Sequence, residues 1–210
     1  MSEALIARPL DAIEQRVLGT LIEKSLTTPD QYPLSLNATR VGANQKTARD
    51  PSTDYDDRAI YSALGRLREI KYLIELSPAD SRIAKYEHRL GSAIDVRASG
   101  IALLGVLLLR GPQTAAELKA NTFRMHPFDS VDAVEEVLGR LETRSLAIKL
   151  SRAAGQREER YIHGLGEVDL TRHSTRASST PSSNDAITEL RAEIDALKAR
   201  VEALERLSAV

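Results

Sequence analysis

Apolar residues near the start of the chain recur at the three- and four-residue spacing of an amphipathic helix. Ile13, Val17 and Leu21 fall on one face, with polar residues between them. Asp11 followed by Glu14 is a capping-box pattern, in which each side chain can accept a hydrogen bond from a backbone N–H at the helix start. The pattern therefore predicts a first helix that begins near Asp11.

Two further helices and a hairpin are predicted downstream. Pro33 opens a short second helix, and residues 55–70 are expected to form a third. The apolar stripe of this third helix consists of Ile60, Ala63, Leu64 and Leu67. Residues 72–76 and 84–90 flank a turn-forming segment at 78–81, which predicts two antiparallel strands.

The same order of patterns appears again in the second half of the chain. The predicted elements are helices over 98–110, from 114 and over 130–144, and strands over 147–150 and 160–163. Gly111-Pro112 ends the first of these helices, and Thr114 with Glu117 forms a second capping box. Both halves therefore predict three helices followed by a hairpin.

Three pairs of short segments match in the same order and indicate an internal repeat. The pairs are residues 18–21 with 104–107, 64–67 with 138–141, and 85–90 with 160–165. The matching segments are 86 residues apart in the first pair and 74 residues apart in the second. The first repeat is therefore expected to carry about twelve extra residues, near positions 40–53. The predicted fold is mainly α with small β-hairpins (α+β), in two tandem winged helix-turn-helix domains plus a C-terminal coiled-coil helix.

The residues after the second repeat follow a different pattern. Residues 167–184 are polar and rich in Ser and Thr, which predicts a flexible linker between the domains at 1–96 and 97–166 and a final helix. Residues 185–208 place β-branched residues at heptad position a and leucine at position d, a pattern typical of a parallel two-stranded coiled coil. The expected dimerisation residues are Ile187, Leu190, Ile194, Leu197, Val201 and Leu204. The alternative is that this helix packs back onto its own domains.

Composition removes several classes of function. The 210 residues carry 29 Lys and Arg against 30 Asp and Glu, so any nucleic-acid binding must depend on local patches. The absence of cysteine excludes disulfides, a thiolate nucleophile and cysteine-ligated metals. The N-terminus lacks the pattern of a signal peptide, and the apolar run at 101–109 is too short to span a bilayer. We expect a cytoplasmic protein with no membrane association.

Four segments of the chain resemble the YceH-like family of uncharacterised proteins. These segments are Gln31-Tyr32-Pro33-Leu34-Ser35-Leu36-Asn37, Asn44-Gln45-Lys46-Thr47-Ala48-Arg49-Asp50-Pro51, Lys85-Tyr86-Glu87-His88-Arg89 and Arg124-Met125-His126-Pro127-Phe128. The resemblance covers roughly residues 10–165 and implies two tandem winged-helix units, in agreement with the repeat. It implies a fold rather than an activity, because one fold can carry many functions.

Cations and amides gather on the extra segment of the first repeat and on both predicted hairpins. Such side chains can bind phosphates and base edges. The candidate contacts to nucleic acid or to a partner are Asn37, Arg40, Asn44, Gln45, Lys46, Arg49, Arg82, Lys85, Arg89, Arg152, Arg157 and Arg160. The alternative is a structural brace, in which the amides bind the turn backbone and the hairpin cations pair with Glu87, Glu158 and Glu159.

Both third helices begin among acidic residues, which favours a second function. These residues are Asp54, Asp56 and Asp57 in the first repeat and Asp129, Asp132, Glu135 and Glu136 in the second. Carboxylates at this place repel the phosphates that the third helix of a winged-helix domain meets. The sequence therefore leaves open a regulatory nucleic-acid-binding protein and a protein–protein adaptor without DNA binding. The surplus apolar residues of the helix at 98–110 are expected to pack between the two units or between chains.

No motif in the sequence indicates catalysis. None of the four histidines lies in a His-Glu-x-x-His pattern, and no glycine-rich phosphate loop is present. His88 and His163 occupy equivalent places in the two hairpins, which favours a repeated structural role. We therefore predict a non-enzymatic protein with no cofactor and no metal, acting as a homodimer with DNA or protein as its partner.

Overall fold

The computed structural model describes residues 8–77, 83–151 and 158–167. Within them the chain is mixed α and β, about half helical, with small antiparallel sheets. The helices are α1 (Ala12–Thr27), α2 (Leu36–Ala43), α3 (Asp57–Glu69), α4 (Leu90–Ala93), α5 (Ala98–Arg110), α6 (Ala115–Thr122) and α7 (Val131–Glu142), with a 3-10 helix at Pro29–Gln31. The strands are β1 (Leu34–Ser35), β2 (Leu73–Leu76), β3 (Lys85–His88), β4 (Ala147–Leu150) and β5 (Arg160–His163).

Helix starts in the first repeat are specified by polar side chains. Asp11 accepts hydrogen bonds from the N–H groups of Ile13 and Glu14, and the Glu14 side chain accepts one from the N–H of Asp11, which completes the predicted capping box. Ser35 caps α2 and Asp56 caps α3 in the same way. Because these caps satisfy otherwise unpaired N–H groups, they set where each helix begins.

A three-stranded sheet closes the first repeat. Its strand order is β1-β3-β2, with every pairing antiparallel. Tyr86 of β3 lies opposite Leu34 of β1 on one side and Glu75 of β2 on the other, and its ring is buried. The sheet therefore joins the connection before α2 to the hairpin after α3.

The second repeat has the same order of elements. β4 and β5 form an antiparallel hairpin in which Ala147 lies opposite His163. A single β-bridge between Gln113 and Tyr161 corresponds to the pairing of β1 with β3 in the first repeat. Thr114 and Glu117 form the predicted capping box of α6. Helix α5 and both strands occupy the predicted ranges.

The extra residues of the first repeat are spread over three places instead of lying in one insert near 40–53. Helix α1 is 16 residues long against 13 for α5, the connection to the second helix has eight residues against four, and the connection to the third helix has thirteen against eight. The 3-10 helix, strand β1 and helix α4 were not predicted, because each is too short to show a hydrophobic period.

Helices α1 and α5 cross at two glycines, and this crossing joins the repeats. A Cβ atom on Gly19 would lie 3.0 Å from Cβ of Leu108, and one on Gly105 would lie 2.7 Å from Cγ2 of Ile22. These contacts are symmetric, because the two glycines hold the same place in their repeats. The structure therefore gives the surplus apolar residues of α5, all buried, a partner within the chain.

The predicted linker beyond residue 167 and the predicted coiled-coil helix at 185–208 lie outside the described residues. Among the residues that the structure describes, no helix combines the length and hydropathy needed to cross a membrane.

Candidate functional site

Arg49, a candidate contact residue, points into the protein. Its guanidinium is buried and donates to the Glu23 carboxylate at 2.6 Å, to the Gly42 carbonyl at 2.8 Å and to the Gln45 side-chain oxygen at 2.9 Å. The pKa of Glu23 is lowered by its hydrogen bonds to Arg49, although burial alone would raise it. Arg49 therefore fastens the segment after α2 to α1.

A second buried arginine, which the sequence did not single out, fastens the same segment. Arg16 of α1 donates to the carbonyls of Ala43 at 3.0 Å and Pro51 at 2.6 Å and to the Thr53 hydroxyl at 3.0 Å. Arg16 is thus a structural residue. The pattern that could have identified it in the sequence is a charged residue on the apolar face of a helix.

Asn44 also serves the loop itself. Its side-chain amide donates to the Tyr55 carbonyl at 2.8 Å, and its side-chain oxygen accepts from the Tyr55 N–H at 2.9 Å. The Asp50 N–H donates to the carbonyl of Leu109 at the end of α5. Asn44, Gln45 and Arg49 therefore fit the brace alternative, and the brace reaches the second repeat.

Three candidates of the first repeat lie at the surface. Lys46 and Asn37 are exposed, and Asn37 accepts a hydrogen bond of 2.9 Å from the Arg40 guanidinium. Arg40 also forms an ion pair of 2.7 Å with Asp57, at the first residue of α3. These side chains remain accessible next to the start of α3.

Two of the three hairpin candidates within the described residues are paired. Arg89 lies 3.2 Å from Glu87, as the brace alternative predicted, and Arg160 donates to Glu117 at 3.0 Å and 3.1 Å. Lys85 is half-buried in β3. The three remaining hairpin candidates lie outside the described residues; they are Arg82, Arg152 and Arg157.

Two of the three acidic residues at the start of α3, Asp56 and Asp57, are engaged by neighbouring groups, and the third, Asp54, is exposed. Asp56 caps the helix through the N–H of Ala59 at 2.7 Å, and Asp57 pairs with Arg40. The next outward positions hold Arg58 and Tyr61, and Tyr61 is 61% exposed. Neither residue was among the candidates predicted from the sequence. The pattern that could have identified them is their position outside the apolar stripe of the helix, which places them on its exposed face.

The equivalent face of α7 is acidic. Asp132, Glu135 and Glu136 stand where α3 has Arg58, Tyr61 and Ser62, and all three are exposed. Ser130, an uncharged residue, caps this helix. The two third helices therefore present opposite electrostatic faces on the same scaffold.

A reversal of charge also occurs beside each hairpin. Arg68 of α3 pairs with Glu75 of β2, whereas the same two positions in the second repeat hold Glu142 and Lys149. Lys149 pairs instead with Glu159 and lies 5.9 Å from the centre of the Tyr161 ring. The hydrogen bond to Glu159 raises the pKa of Lys149. The two repeats thus differ in charge both on the third helix and beside the hairpin.

The histidines at the ends of the two returning strands lie in equivalent places, His88 half-buried and His163 buried. His88 lies 3.0 Å from the Ser25 hydroxyl through Nε2, and burial lowers the pKa of both His88 and His163 to about 4. Both rings are therefore uncharged at neutral pH. No group of three or more potential metal ligands occurs within the described ranges.

Comparison with known proteins gives a family without an established function. Residues 10–156 match the family model described as "Protein of unknown function, DUF480". The chain is 45% identical over 207 residues to a UPF0502 protein of Xanthomonas campestris, covering 98% of this chain and 90% of that protein. It is 43% identical to a UPF0502 protein of Stenotrophomonas maltophilia and 42% identical to one of Leptothrix cholodnii, covering 92% and 90% of this chain and 91% and 87% of those proteins.

Proposed function

The chain belongs to this DUF480 family, and we propose that it is a non-enzymatic, cytoplasmic DNA-binding regulator whose first repeat alone contacts the duplex. In this proposal residues 1–96 and 97–166 are two winged-helix domains. The observation that carries the proposal is the outward face of α3, where Arg58 and Tyr61 are exposed.

The charges around α3 support docking in the major groove. In a winged-helix domain the start of the third helix approaches base edges while neighbouring cations bind phosphates. Arg58 is available for this role, and Arg40, Lys46 and Asn37 lie on or just after α2. The nearby Asp56 and Asp57 are already bound to a backbone N–H and to Arg40. These two contacts reduce the negative charge that the start of α3 presents to phosphates.

The α7 face argues against a second DNA contact. Asp132, Glu135 and Glu136 are exposed on it, and Arg140, the nearest cation on the helix, pairs with Glu136. Each carboxylate near a phosphate raises the free energy of binding, because it adds repulsion instead of releasing counterions. The proposal therefore gives each chain one DNA-reading helix.

Fluorescence anisotropy with labelled mixed-sequence duplexes at two salt concentrations tests the proposal. Arg58→Glu should weaken binding at low salt by about tenfold or more, since a cation near phosphate becomes an anion. Because Arg58 lies in the first turn of α3, where an acidic residue is favoured, this variant should remain folded.

Arg124→Glu is the matched control, because Arg124 is an exposed arginine of the second repeat and the change in charge is the same. It should alter affinity by less than about twofold. An equal loss of DNA affinity in both variants would indicate that α3 does not make the contact. Absence of binding by the unaltered protein at low salt would refute DNA binding.

A protein–protein adaptor is the second candidate, and the second repeat favours it. The acidic α7 face lies in the same repeat as Phe123, which is 69% exposed at the end of α6. A basic partner segment would suit these charges. The proposed homodimer rests on the heptad pattern of residues 185–208 and remains a prediction from sequence.

A further inference from the structure

The second repeat contains an open cavity of about 570 Å³ beside the start of α5. Three of its lining residues are arginines, and the wall behind them is formed by α7. The lining residues that matter for its chemistry are Arg97, Gly100, Glu136, Arg140 and Arg144. A volume of this size accommodates a small organic molecule.

In the first repeat the same place is filled by a carboxylate. Glu14 is fully buried, and its carboxylate accepts hydrogen bonds from Nη1 of Arg8 at 2.8 Å, from Nε of Arg66 at 2.8 Å and from the N–H of Asp11 at 2.9 Å. Although burial raises the pKa of a carboxyl group, these donors hold the pKa of Glu14 at about 2. In the first repeat this place therefore holds the ionised carboxylate of Glu14 inside the protein.

The repeat alignment shows what the second site lacks. Asp11 and Arg97 are both N-cap residues, so the third helical position is Glu14 in α1 and Gly100 in α5. Arg66 of α3 corresponds to Arg140 of α7. The second repeat therefore has an equivalent arginine, Arg140, but has Arg97 and Gly100 in place of the carboxylates of Asp11 and Glu14.

The donors that bind Glu14 have counterparts around the cavity. Arg140 occupies the place of Arg66 and pairs only with Glu136, an exposed side chain of its own helix, among the described residues. Arg144 lines the same wall and is held in position by donating to the carbonyls of Ile94 and Asp95. No side chain caps the start of α5. The cavity thus presents cationic donors with no buried carboxylate to receive them.

We propose that this cavity binds a small carboxylate-bearing molecule, whose carboxylate takes the place that Glu14 fills in the first repeat. The ligand bridges Arg140 and Arg97, and its remaining atoms occupy the open cavity that these two residues line. Charge-assisted hydrogen bonds from arginine to carboxylate supply the specificity. Glu136 and Asp95 are the anionic groups at the site, and the ligand displaces Glu136 from Arg140. This inference is independent of DNA binding.

Isothermal titration calorimetry of the full chain with succinate and with citrate tests it, at constant ionic strength. Succinamide, which has the same size without charge, and inorganic phosphate are the comparison probes. Succinate or citrate should bind, and succinamide should not. Binding of phosphate with equal affinity would refute selectivity for a carboxylate, and absence of heat with every carboxylate would refute the site.

Arg140→Gln should weaken carboxylate binding by about tenfold or more, which is the loss expected for one charge-assisted hydrogen bond. Arg66→Gln is the matched control, because it removes the equivalent arginine of the first repeat and leaves the cavity intact. It should lower the stability of the protein and leave carboxylate binding unchanged. Equal binding by the Arg140→Gln variant would place the carboxylate elsewhere.

A variant that carries its own carboxylate gives a second, independent measurement. A Cβ atom at position 100 would lie 2.6 Å from Cγ1 of Val96, so Gly100→Glu is combined with Val96→Ala. This double variant should no longer bind succinate, because the new side chain occupies the site. Retained binding by a folded double variant would contradict the inference.

Discussion

The two repeats agree at their buried apolar positions and differ at their polar ones. Each third helix buries four inward residues, and each returning strand buries one tyrosine, Tyr86 or Tyr161. At the polar positions, Glu14 is replaced by Gly100 and Arg58 by Asp132. The shared apolar positions therefore accompany the shared backbone, whereas the helix caps and the polar surface positions differ between the repeats.

The largest expected effect comes from the carboxylate that only the first repeat contains. Glu14→Gln should lower the free energy of unfolding by about 3 kcal/mol at neutral pH, because it leaves Arg8 and Arg66 without their buried partner. Urea denaturation followed by circular dichroism measures this. Glu136→Gln is the control, since its ion pair with Arg140 is exposed, and it should change stability by less than about 0.5 kcal/mol. Similar losses for both variants would remove the contrast between the repeats.

The glycines that join the repeats should give the next largest effect. Gly19→Ala and Gly105→Ala should each destabilise the protein by about 2 kcal/mol, because the added Cβ atoms meet packed side chains across the α1–α5 crossing. Gly65→Ala and Gly139→Ala are the controls. Nothing lies within 4 Å of a Cβ atom at either position, so these changes should stabilise α3 and α7 by roughly 0.5–1 kcal/mol. Stabilisation by all four changes would show that the crossing is loosely packed.

The effect that is smallest at neutral pH concerns the equivalent histidines His88 and His163, and it grows as the pH is lowered. The pKa of each is about 4 in the folded protein, so between pH 6.5 and pH 4 the unfolded chain binds more protons. Their contribution to stability is complete above pH 6.5 and falls as the pH is lowered, by up to about 1.4 kcal/mol per pH unit for each ring.

Measuring unfolding between pH 6.5 and pH 5 separates these rings from Glu14, whose unfolded form titrates at lower pH. His88→Gln and His163→Gln should each remove about half of the slope in this range. A slope that only one variant alters would mean that the two histidines are not equivalent.

Much of the fold could be predicted from local pattern. The range of α5 and those of β4 and β5 match the predicted ones, because hydrophobic period, glycine stops and strand alternation are local signals. Helix α3 begins at Asp57 rather than at residue 55, since Asp56 uses its side chain as the cap. Elements shorter than one period, such as β1 and α4, gave no signal.

The candidate site was predicted less well, for a physical reason. Asn44 and Arg49 lie in a polar loop for which the sequence left open a binding surface and a structural brace, and their side chains bind backbone carbonyls and Glu23. The sequence shows that a side chain can donate hydrogen bonds. It does not show which acceptor lies next to that side chain in the fold. Arg58 and Tyr61 were overlooked because neighbouring aspartates dominated the local charge.

The order of the three main helices and the hairpin in each repeat follows from the sequence alone, because hydrophobic period and capping patterns depend on spacing along the chain. Which polar groups pair depends on the tertiary structure, since it brings together residues that are far apart in sequence. Arg66 reaches Glu14 across 52 positions, whereas its counterpart Arg140 pairs with Glu136 of its own helix and lines a cavity. The sequence places Arg97 and Gly100 where the first repeat has Asp11 and Glu14, but only the fold shows that a cavity lies beside them.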